Sequence, residues 1–207
     1  MTRFTAELVP TLTDDERNRA TRYIRPIHQF HQCASFAMQR YAIAKYMSTN
    51  HLPFSNGSPT INRPPKEKPY CSNYPHVHFN ASHSGGYVAV YVTSCPCGVD
   101  IERCNALTES RHSDILYDLL GAKNDISRDA LSPACTGIRL WTQIEAWLKL
   151  SGCGLKGLYD VSVSHDPTTD AFALRHHGFA MPPFKDISPE LPDNVYGTIV
   201  LEDGVTP

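Results

Sequence analysis

The stretch GVDIE at residues 98–102 has the composition of a short β-strand and carries two acidic side chains. Successive side chains of a strand point to opposite faces, so Asp100 and Glu102 share one face while Val99 and Ile101 face a core. Two neighbouring carboxylates repel one another unless positive charge lies between them. Oxygen ligands on a rigid strand suit Mg²⁺, and the strand is therefore a candidate magnesium site.

A second stretch, WTQIEAWLK at residues 141–149, has the pattern of a helix. Trp141, Glu145 and Lys149 are spaced four apart and share one face of that helix. If the helix packs against the acidic strand, Glu145 supplies a third carboxylate. The alternative for both stretches is a solvated surface, with an acidic strand face in one and a Glu-to-Lys ion pair in the other.

The composition is that of a globular protein with no excess of either charge. The 207 residues include 19 basic and 21 acidic side chains, for a net charge of −2, and 41% of them are hydrophobic. We expect no nucleic-acid partner, because there is no basic excess, and no membrane partner, because no apolar run approaches the ~20 residues that span a bilayer. Residues 1–16 lack the pattern of a leader peptide, and the seven cysteines lack the spacing of a zinc site or a disulfide framework. We therefore expect a cytoplasmic protein with reduced thiols.

Two helices are predicted ahead of the acidic strand. Thr13 and Glu16 form a capping box, which opens a helix that reaches about residue 24. A long amphipathic helix follows over residues 27–47. Apolar residues that recur at spacings of three and four define its predicted buried face: Ile27, Phe30, Ala34, Ala37, Met38, Tyr41 and Ala44. Residues 48–69, rich in Pro, Asn, Ser and Gly, are predicted to form a loop.

The rest of the chain alternates between short strands and helices. Strands are predicted at residues 77–80, 87–93, 98–102, 158–164, 171–175 and 195–201, and helices at 107–120 and 137–150. The 87–93 strand is nearly continuously apolar, so we expect it to be central in its sheet and to form an antiparallel hairpin with the acidic strand. The order of helix, strands, helix and strands predicts an α+β fold with small antiparallel sheets. Each half repeats a helix followed by a small sheet.

A third polar stretch, FNASHSG at residues 79–85, precedes the acidic strand. Its Ser82, His83 and Ser84 offer hydroxyl, backbone N–H and imidazole groups at a predicted turn, and these groups suit a phosphate. Taken alone, one histidine among ten is more often a surface residue. The order FNASHSG, GVDIE and WTQIEAWLK resembles the 4′-phosphopantetheinyl transferases. The resemblance covers about residues 14–155, and the length and N-terminal helices are similar to the monomeric Sfp-type branch.

The resemblance implies a particular fold. Members of this family consist of two similar α/β halves related by a pseudo-twofold axis, with the active site between them. In this chain the halves would be residues 1–103, ending in the GVDIE strand, and residues 104–207, containing the WTQIEAWLK helix. Such a chain is expected to be a monomer.

The resemblance also implies roles for individual residues. The metal ligands would be Asp100, Glu102 and Glu145, and the catalytic residues Glu145 and Lys149. The residues expected to contact coenzyme A are Arg40, Lys68, Pro69, Ser82, His83, Asp100 and Lys149. The arginine role is assigned to Arg40, with Arg22 and Arg25 as open alternatives.

The chain departs from the family pattern at two places. Ile144 stands where many members have a lysine before the motif glutamate, which leaves no residue here for that lysine's role. The stretch KEKP at residues 66–69 differs from the commoner glycine-lysine-proline. The resemblance therefore says less about the geometry of the loop that carries Lys68 than about the geometry of the three motifs.

The activity implied is that of a holo-acyl-carrier-protein synthase type of transferase. It would move the 4′-phosphopantetheine arm of coenzyme A to a serine of an apo acyl or peptidyl carrier protein and release adenosine 3′,5′-bisphosphate. Mg²⁺ would be the cofactor, with Mn²⁺ as a substitute, and coenzyme A the co-substrate. The alternatives are a non-catalytic module that binds coenzyme A or a carrier protein, and a Mg²⁺-dependent phosphohydrolase.

Overall fold

The computed structural model describes residues 12–53, 55, 57–65, 67–120, 126, 129–131 and 135–202. It divides into two compact units, Met1–Cys95 and Pro96–Pro207, and each is described by itself. Most of the N-terminal stretch in which we expect no leader peptide, residues 1–11, lies outside the described residues.

The first unit opens with the capped helix that the sequence predicts, α1 (Asp14–Thr21). Thr13 Oγ1 accepts a hydrogen bond from the Glu16 N–H at 3.3 Å, and the Thr13 N–H donates to Glu16 Oε2 at 3.0 Å. These two bonds confirm the capping box. The helix ends before residue 24, the predicted end. The long helix α2 (Pro26–Thr49) follows, with proline in its first turn, where the missing N–H is not needed.

The buried face of α2 is not the predicted one. Phe36, Ile43 and Met47 are buried, whereas Ile27 and Tyr41 are 52% and 64% exposed. The prediction of this face was wrong because α2 carries apolar residues around much of its circumference, so spacing alone does not single out one stripe. The buried stripe is the one that packs against the small strands of the unit and the segment leading into them.

Four short strands complete the first unit. β1 (Ile61–Asn62) pairs with β2 (Tyr70–Cys71), and β3 (His78–Ser84) pairs with β4 (Tyr87–Thr93), each in antiparallel register. Among the described residues β4 has β3 as its one strand neighbour, so the predicted central position of β4 is wrong. Its apolar residues are covered instead by α2, which packs against it.

The polar stretch at residues 82–84 belongs to a strand and not to a turn. Ser82 pairs with Ala89 and His83 with Val88, so β3 continues past the predicted end at residue 80. The turn itself is made by residues 85 and 86, two glycines with φ of 57° and 94°. Glycine adopts such left-handed backbone freely, and the reversal therefore needs no residue from the SHS sequence.

The second unit begins with the acidic strand, β5 (Cys97–Arg103). β5 pairs antiparallel along its whole length with β10 (Val195–Leu201), and β9 (Phe184–Asp186) pairs with the other side of β10. The predicted hairpin between the 87–93 and 98–102 strands is therefore wrong. The partner of β5 lies nearly a hundred residues further along the chain, as the register of Arg103 opposite Val195 shows. Local patterns of apolar residues carry no information about such a distant partner.

Two helices and a second sheet make up the rest of this unit. α3 (Ala106–Leu120) and α4 (Thr136–Ser151) lie where the sequence predicts them, and Gly152, with φ of 73°, ends α4 as predicted. A 3₁₀ helix, Gly154–Asp160, leads into a three-stranded antiparallel sheet. The strands of this sheet are β6 (Val161–Asp166), β7 (Ala171–His176) and β8 (Phe179–Ala180).

The core of the second unit forms around α4. Ile144 and Leu148 are buried together with Val161, Val163 and Leu174 from the β6–β7–β8 sheet. Another side of α4 packs against β5 and β10. The helix is thus enclosed between two small sheets, which accounts for its many apolar residues. The architecture is the predicted α+β one, with small antiparallel sheets packed on helices.

The structure divides the chain before the GVDIE strand, whereas the sequence analysis divided it after residue 103. The physical reason for the difference is the pairing of β5. A strand bonded along its length to β10 and packed against α4 belongs with residues that follow it.

Two further expectations bear on the whole chain. None of the seven cysteines, all of which the structure describes, forms a disulfide, although the Sγ atoms of Cys104 and Cys135 lie 3.4 Å apart. The spacing of 31 residues did not indicate that proximity. Of the helices that the structure describes, none combines the length and the apolar content that crossing a bilayer requires.

The contact between β5 and α4 leaves no space for a side chain at position 98. A Cβ atom on Gly98 would lie 1.9 Å from the carbonyl oxygen of Ala146 and 2.9 Å from the Leu150 nitrogen. These are backbone atoms of a helix, which cannot move aside without disrupting its hydrogen bonds. The missing side chain at Gly98 sets how close the acidic strand lies to the helix.

We predict that Gly98→Ala lowers the free energy of unfolding of the second unit by about 3 kcal/mol or more, because the strand and helix must separate. Both tryptophans of the chain, Trp141 and Trp147, lie on α4. Denaturant unfolding followed by tryptophan fluorescence therefore reports on this unit.

The matched control is Gly152→Ala at the end of the same helix. Its Cβ would meet no atom within 4 Å, and only the positive φ of 73° opposes it. We expect a cost of about 1 kcal/mol there. Equal effects of the two substitutions would contradict the importance of the close contact at Gly98.

Candidate functional site

The acidic strand presents its two carboxylates on one face, as predicted. Asp100 is 1% exposed and Glu102 is half-buried, while Val99 and Ile101 are buried in the core on the other face. A buried carboxylate is costly unless hydrogen bonds or opposite charge compensate it. The surroundings of Asp100 therefore decide whether this strand is a site.

Lys149 of α4 provides that compensation. Its Nζ lies 2.5 Å from Asp100 Oδ1 and 3.7 Å from Glu145 Oε2. The strand and the helix thus meet, and the ammonium group lies between a carboxylate from each. The alternative interpretation, two separate solvated surfaces, does not hold for these residues, because Asp100 and most of Glu145 are removed from solvent.

The other charged residues of the cluster shift the pKa of Glu145. Burial, and after it the negative charge of Asp100, raises the pKa of Glu145 to about 7; Lys149 opposes the shift and Glu102 adds to it. Both strand carboxylates are therefore close enough to Glu145 to act on its charge. The cluster contains three carboxylates and one ammonium group, so it keeps an excess of negative charge when all of them are ionised.

The four residues of this cluster, which we call the acidic site, lie inside one unit. Asp100, Glu102, Glu145 and Lys149 all belong to Pro96–Pro207. The resemblance implied that strand and helix come from different halves of the chain. The described structure instead brings them together by direct packing of β5 on α4, the contact that Gly98 permits.

A hydroxyl pair that the sequence did not reveal fixes the helix beside the strand. Thr142 Oγ1 and Thr198 Oγ1 are 2.9 Å apart and both residues are buried. Thr198 of β10 is the register partner of Asp100. The bond therefore ties α4 to the sheet at the level of the acidic site. No local signal marks either threonine, because their sequence separation is 56 residues.

In the first unit, the predicted phosphate-binding residues lie on β3. Ser82 is buried and His83 is exposed, in keeping with the alternation of faces along a strand. His31 of α2 lies near His83: burial, and after it the charge of His83 and then that of His28, lowers the pKa of His31. The three histidines form a group on this side of the unit that sequence reasoning did not find.

Arg40, the predicted phosphate-binding arginine, is engaged with Glu16. Its Nη1 donates to Glu16 Oε1 at 2.8 Å, and its Nη2 bonds to Glu16 Oε2. Arg63 Nη2 lies 3.2 Å from the same carboxylate and donates to Gln39 Oε1 at 2.7 Å. Glu16 is 3% exposed, so the capping residue of α1 is also the centre of a buried ion network.

A cavity of about 360 Å³ lies next to this network. Its lining is rich in arginine and consists of Arg19, Arg22, Tyr23, Gln32, Phe36, Arg63, Pro64, Glu67 and Pro69. Two residues from the sequence analysis are among them: Pro69, expected to contact coenzyme A, and Arg22, the open alternative to Arg40. Arg63 was missed because it lies in the predicted loop, where no periodicity marks a functional residue. Lys66 of the KEKP stretch lies outside the described residues.

Similarity to known proteins points to the same family as the motifs. The 4′-phosphopantetheinyl transferase psf-1 of Bacillus pumilus is 37% identical over 93 residues, which are 42% of this chain and 37% of that protein. The 4′-phosphopantetheinyl transferase Sfp of Bacillus subtilis strain 168 is 30% identical over 132 residues, 61% of this chain and 50% of that protein. No family model matches the chain.

A eukaryotic relative extends the matched region. The L-aminoadipate-semialdehyde dehydrogenase-phosphopantetheinyl transferase of Schizosaccharomyces pombe is 29% identical over 162 residues, 70% of this chain and 61% of that protein. The chain thus spans between about a third and three fifths of the length of these relatives. The predicted resemblance to the 4′-phosphopantetheinyl transferase superfamily, and to its Sfp-type branch, is confirmed by these similarities, and the α+β architecture is compatible with that fold.

The raised pKa of Glu145 predicts how stability depends on pH. Between pH 4.5, the ordinary value, and about 7, the folded state holds a proton on Glu145 that the unfolded state has released. The contribution of Glu145 to the free energy of unfolding therefore falls as pH rises through this window, by up to about 3 kcal/mol.

Glu145→Gln removes this titration. We expect the free energy of unfolding of the variant, minus that of the wild type, to increase as the pH is raised from 5 to 8. Denaturant unfolding followed by tryptophan fluorescence measures both values. Glu190→Gln, at an exposed ion pair with Lys185 in the same unit, is the control and should show no such trend. A pH-independent difference between wild type and Glu145→Gln would contradict the raised pKa.

Proposed function

We propose that this chain transfers the 4′-phosphopantetheine group of coenzyme A to a serine hydroxyl of an apo carrier protein and releases adenosine 3′,5′-bisphosphate. The observation that carries the proposal is the cluster of Asp100, Glu102, Glu145 and Lys149. Its residues are the ones that the family resemblance assigns to metal binding and catalysis. The pseudo-twofold relation between two halves, which the resemblance also implies, stays a prediction.

The donor set of the cluster fits Mg²⁺. Asp100, Glu102 and Glu145 offer hard oxygen ligands, and the raised pKa of Glu145 reflects its burial and, after that, repulsion by the other two carboxylates. We propose that these three residues hold the ion, with Mn²⁺ as a substitute. When bound, the ion supplies positive charge toward the oxygens of the coenzyme A pyrophosphate.

Different side chains of the cluster would accept the serine proton and stabilise the charge of the leaving group. The new bond joins the serine Oγ of the carrier to the β-phosphorus of coenzyme A, and the bond from that phosphorus to the leaving phosphate oxygen breaks. Glu145, in its ionised form, would accept the serine proton. Lys149 would offer its ammonium group to the negative charge that develops on the leaving oxygen.

Besides Asp100 and Lys149, the resemblance assigns coenzyme A contacts to residues of the first unit, and these contacts are part of the proposal. Ser82 and His83 would bind phosphate, as would Lys68 beside Pro69. The pairing of Arg40 with Glu16 favours a positioning role for Arg40 and a direct phosphate contact for Arg22, which lines the arginine-rich cavity. A bidentate bond to a buried carboxylate leaves Arg40 fewer donors for a ligand.

The decisive experiment incubates the protein with coenzyme A, Mg²⁺ and several apo carrier proteins, and weighs the carriers by mass spectrometry. We expect the mass of one phosphopantetheine on at least one carrier. Asp100→Ala and Glu145→Ala should each lower the rate about a hundred-fold or more, because metal charge or the proton acceptor is lost. Glu190→Ala, an exposed carboxylate of the same unit, should transfer like the wild type.

The other outcomes separate the alternatives. Binding of coenzyme A with no mass gain on any carrier would indicate a binding module. Release of inorganic phosphate from nucleotides without a carrier would indicate a phosphohydrolase. Near-normal transfer by either carboxylate variant would refute the assigned roles.

The arginine assignment has its own test. Arg22→Ala should raise the KM for coenzyme A about ten-fold with little change in kcat, since loss of a charged hydrogen bond to the ligand costs about 1.5 kcal/mol. Arg25→Ala is the matched control, because Arg25 is exposed and does not line the cavity. A larger effect at Arg25 than at Arg22 would overturn the assignment.

A further inference from the structure

A cluster of two histidines and one aspartate lies in the second unit, apart from the residues of the acidic site. One ligand atom from each of Asp160, His176 and His177 lies within 4.8 Å of the other two. His177 Nδ1 and Asp160 Oδ1 are 3.7 Å apart, and the rings of His176 and His177 have centroids 4.3 Å apart. Ligand atoms at bonds of about 2.0–2.1 Å around a tetrahedral ion are about 3.4 Å from one another, so small side-chain movements suffice.

The backbone holds the three residues together. His177 and the glycine after it, with φ of 50° and 81°, form the two-residue turn between β7 and β8. The His177 N–H donates to the backbone oxygen of Asp160 at 3.0 Å, which fixes the turn against the end of the 3₁₀ helix. The ligands therefore come from two hydrogen-bonded segments that are already in place.

His176 has a feature that a purely structural ring does not explain. Its Nε2 is buried and has no hydrogen-bond partner among the described residues. An unsatisfied buried nitrogen is unfavourable, and such groups in proteins call for a bound water or ion. Burial, and after it the charge of His177, lowers the pKa of His176, which Asp160 opposes.

We propose that Asp160, His176 and His177 form a binding site for a first-row divalent transition metal ion of the Zn²⁺ type. Two imidazoles with one carboxylate suit Zn²⁺ and Co²⁺, whereas Mg²⁺ prefers oxygen ligands alone. Asp160 and His177 are 47% and 62% exposed, so an ion can enter from solvent and keep a water as a further ligand. The site is independent of the proposed transfer reaction and of its Mg²⁺ ligands.

The ion would join two segments of the unit. Asp160 ends the 3₁₀ helix that follows α4, and the histidines end β7. His176 also contacts Trp147 of α4 edge to face, with ring centroids 5.9 Å apart. Binding at His176 is therefore expected to change the emission of Trp147.

The test is a metal titration of the untagged chain, freed of metal by a chelator and kept reduced, in excess Mg²⁺ to occupy oxygen-only sites. Isothermal titration with Zn²⁺ and absorption spectra with Co²⁺ measure affinity and ligand type. We expect one equivalent bound with a change in tryptophan emission. His177→Ala and Asp160→Asn should each weaken binding at least about ten-fold. Both residues are exposed, so neither substitution opens a hole in the core.

The matched control is His165→Ala. His165 Nε2 lies 2.8 Å from Asp170 Oδ1 in the same sheet, and this pair offers two ligands where the proposed site offers three. The control should bind Zn²⁺ like the wild type. Equal affinity of His177→Ala and wild type, a Co²⁺ spectrum dominated by thiolate ligands, or no Zn²⁺ binding at all would each overturn the proposal.

Discussion

The close packing of β5 on α4 is the contact on which the acidic site depends. It requires glycine at position 98, because any side chain there would collide with the carbonyl oxygen of Ala146. Ala146 is fully buried at the point of closest approach. One residue before Ala146 along the helix is Glu145, and two residues after Gly98 along the strand is Asp100. The same contact that removes space for a side chain therefore brings the carboxylates together.

Bringing three carboxylates together has an electrostatic consequence. Burial, and after it repulsion by Asp100 and Glu102, raises the pKa of Glu145 to about 7, although Lys149 opposes the shift. A fully apolar core would avoid this cost. A cluster of carboxylates inside a packed unit is expected where a cation or a phosphate is to be bound. Functional sites retain such unfavourable arrangements, and packing elsewhere offsets their cost.

The arginines of the first unit illustrate how one carboxylate can organise several cations. Glu16 caps α1, accepts two bonds from Arg40 and contacts Arg63. Arg63 is also held over the ring of Phe36, with its guanidinium carbon 4.3 Å from the ring centroid. Of these two arginines, Arg63 lines the adjoining cavity, together with Arg19 and Arg22. That lining is the kind of surface that a phosphate-bearing ligand requires.

The elements whose signals are local could be predicted from the sequence. The capping box at Thr13, the helix α4 with its glycine end, the strand β10 and the alternation of Asp100 and Glu102 with Val99 and Ile101 all follow from spacings within one segment. The motif order also indicated the resemblance to the 4′-phosphopantetheinyl transferases, because comparing motifs needs no three-dimensional information. These predictions succeeded because each depends on the backbone geometry of a single helix or strand.

Features that depend on residues far apart in the chain could not be predicted in this way. The partner of β5 is β10 and not β4, the buried face of α2 is the stripe of Ile43 and Met47, and Arg40 bonds to Glu16. The cluster of Asp160 with the two histidines likewise exists only because a turn and a 3₁₀ helix are hydrogen-bonded. Where the spacing of apolar residues allows more than one buried face, the packing partner determines which side chains are buried. That partner is formed by residues from distant parts of the sequence.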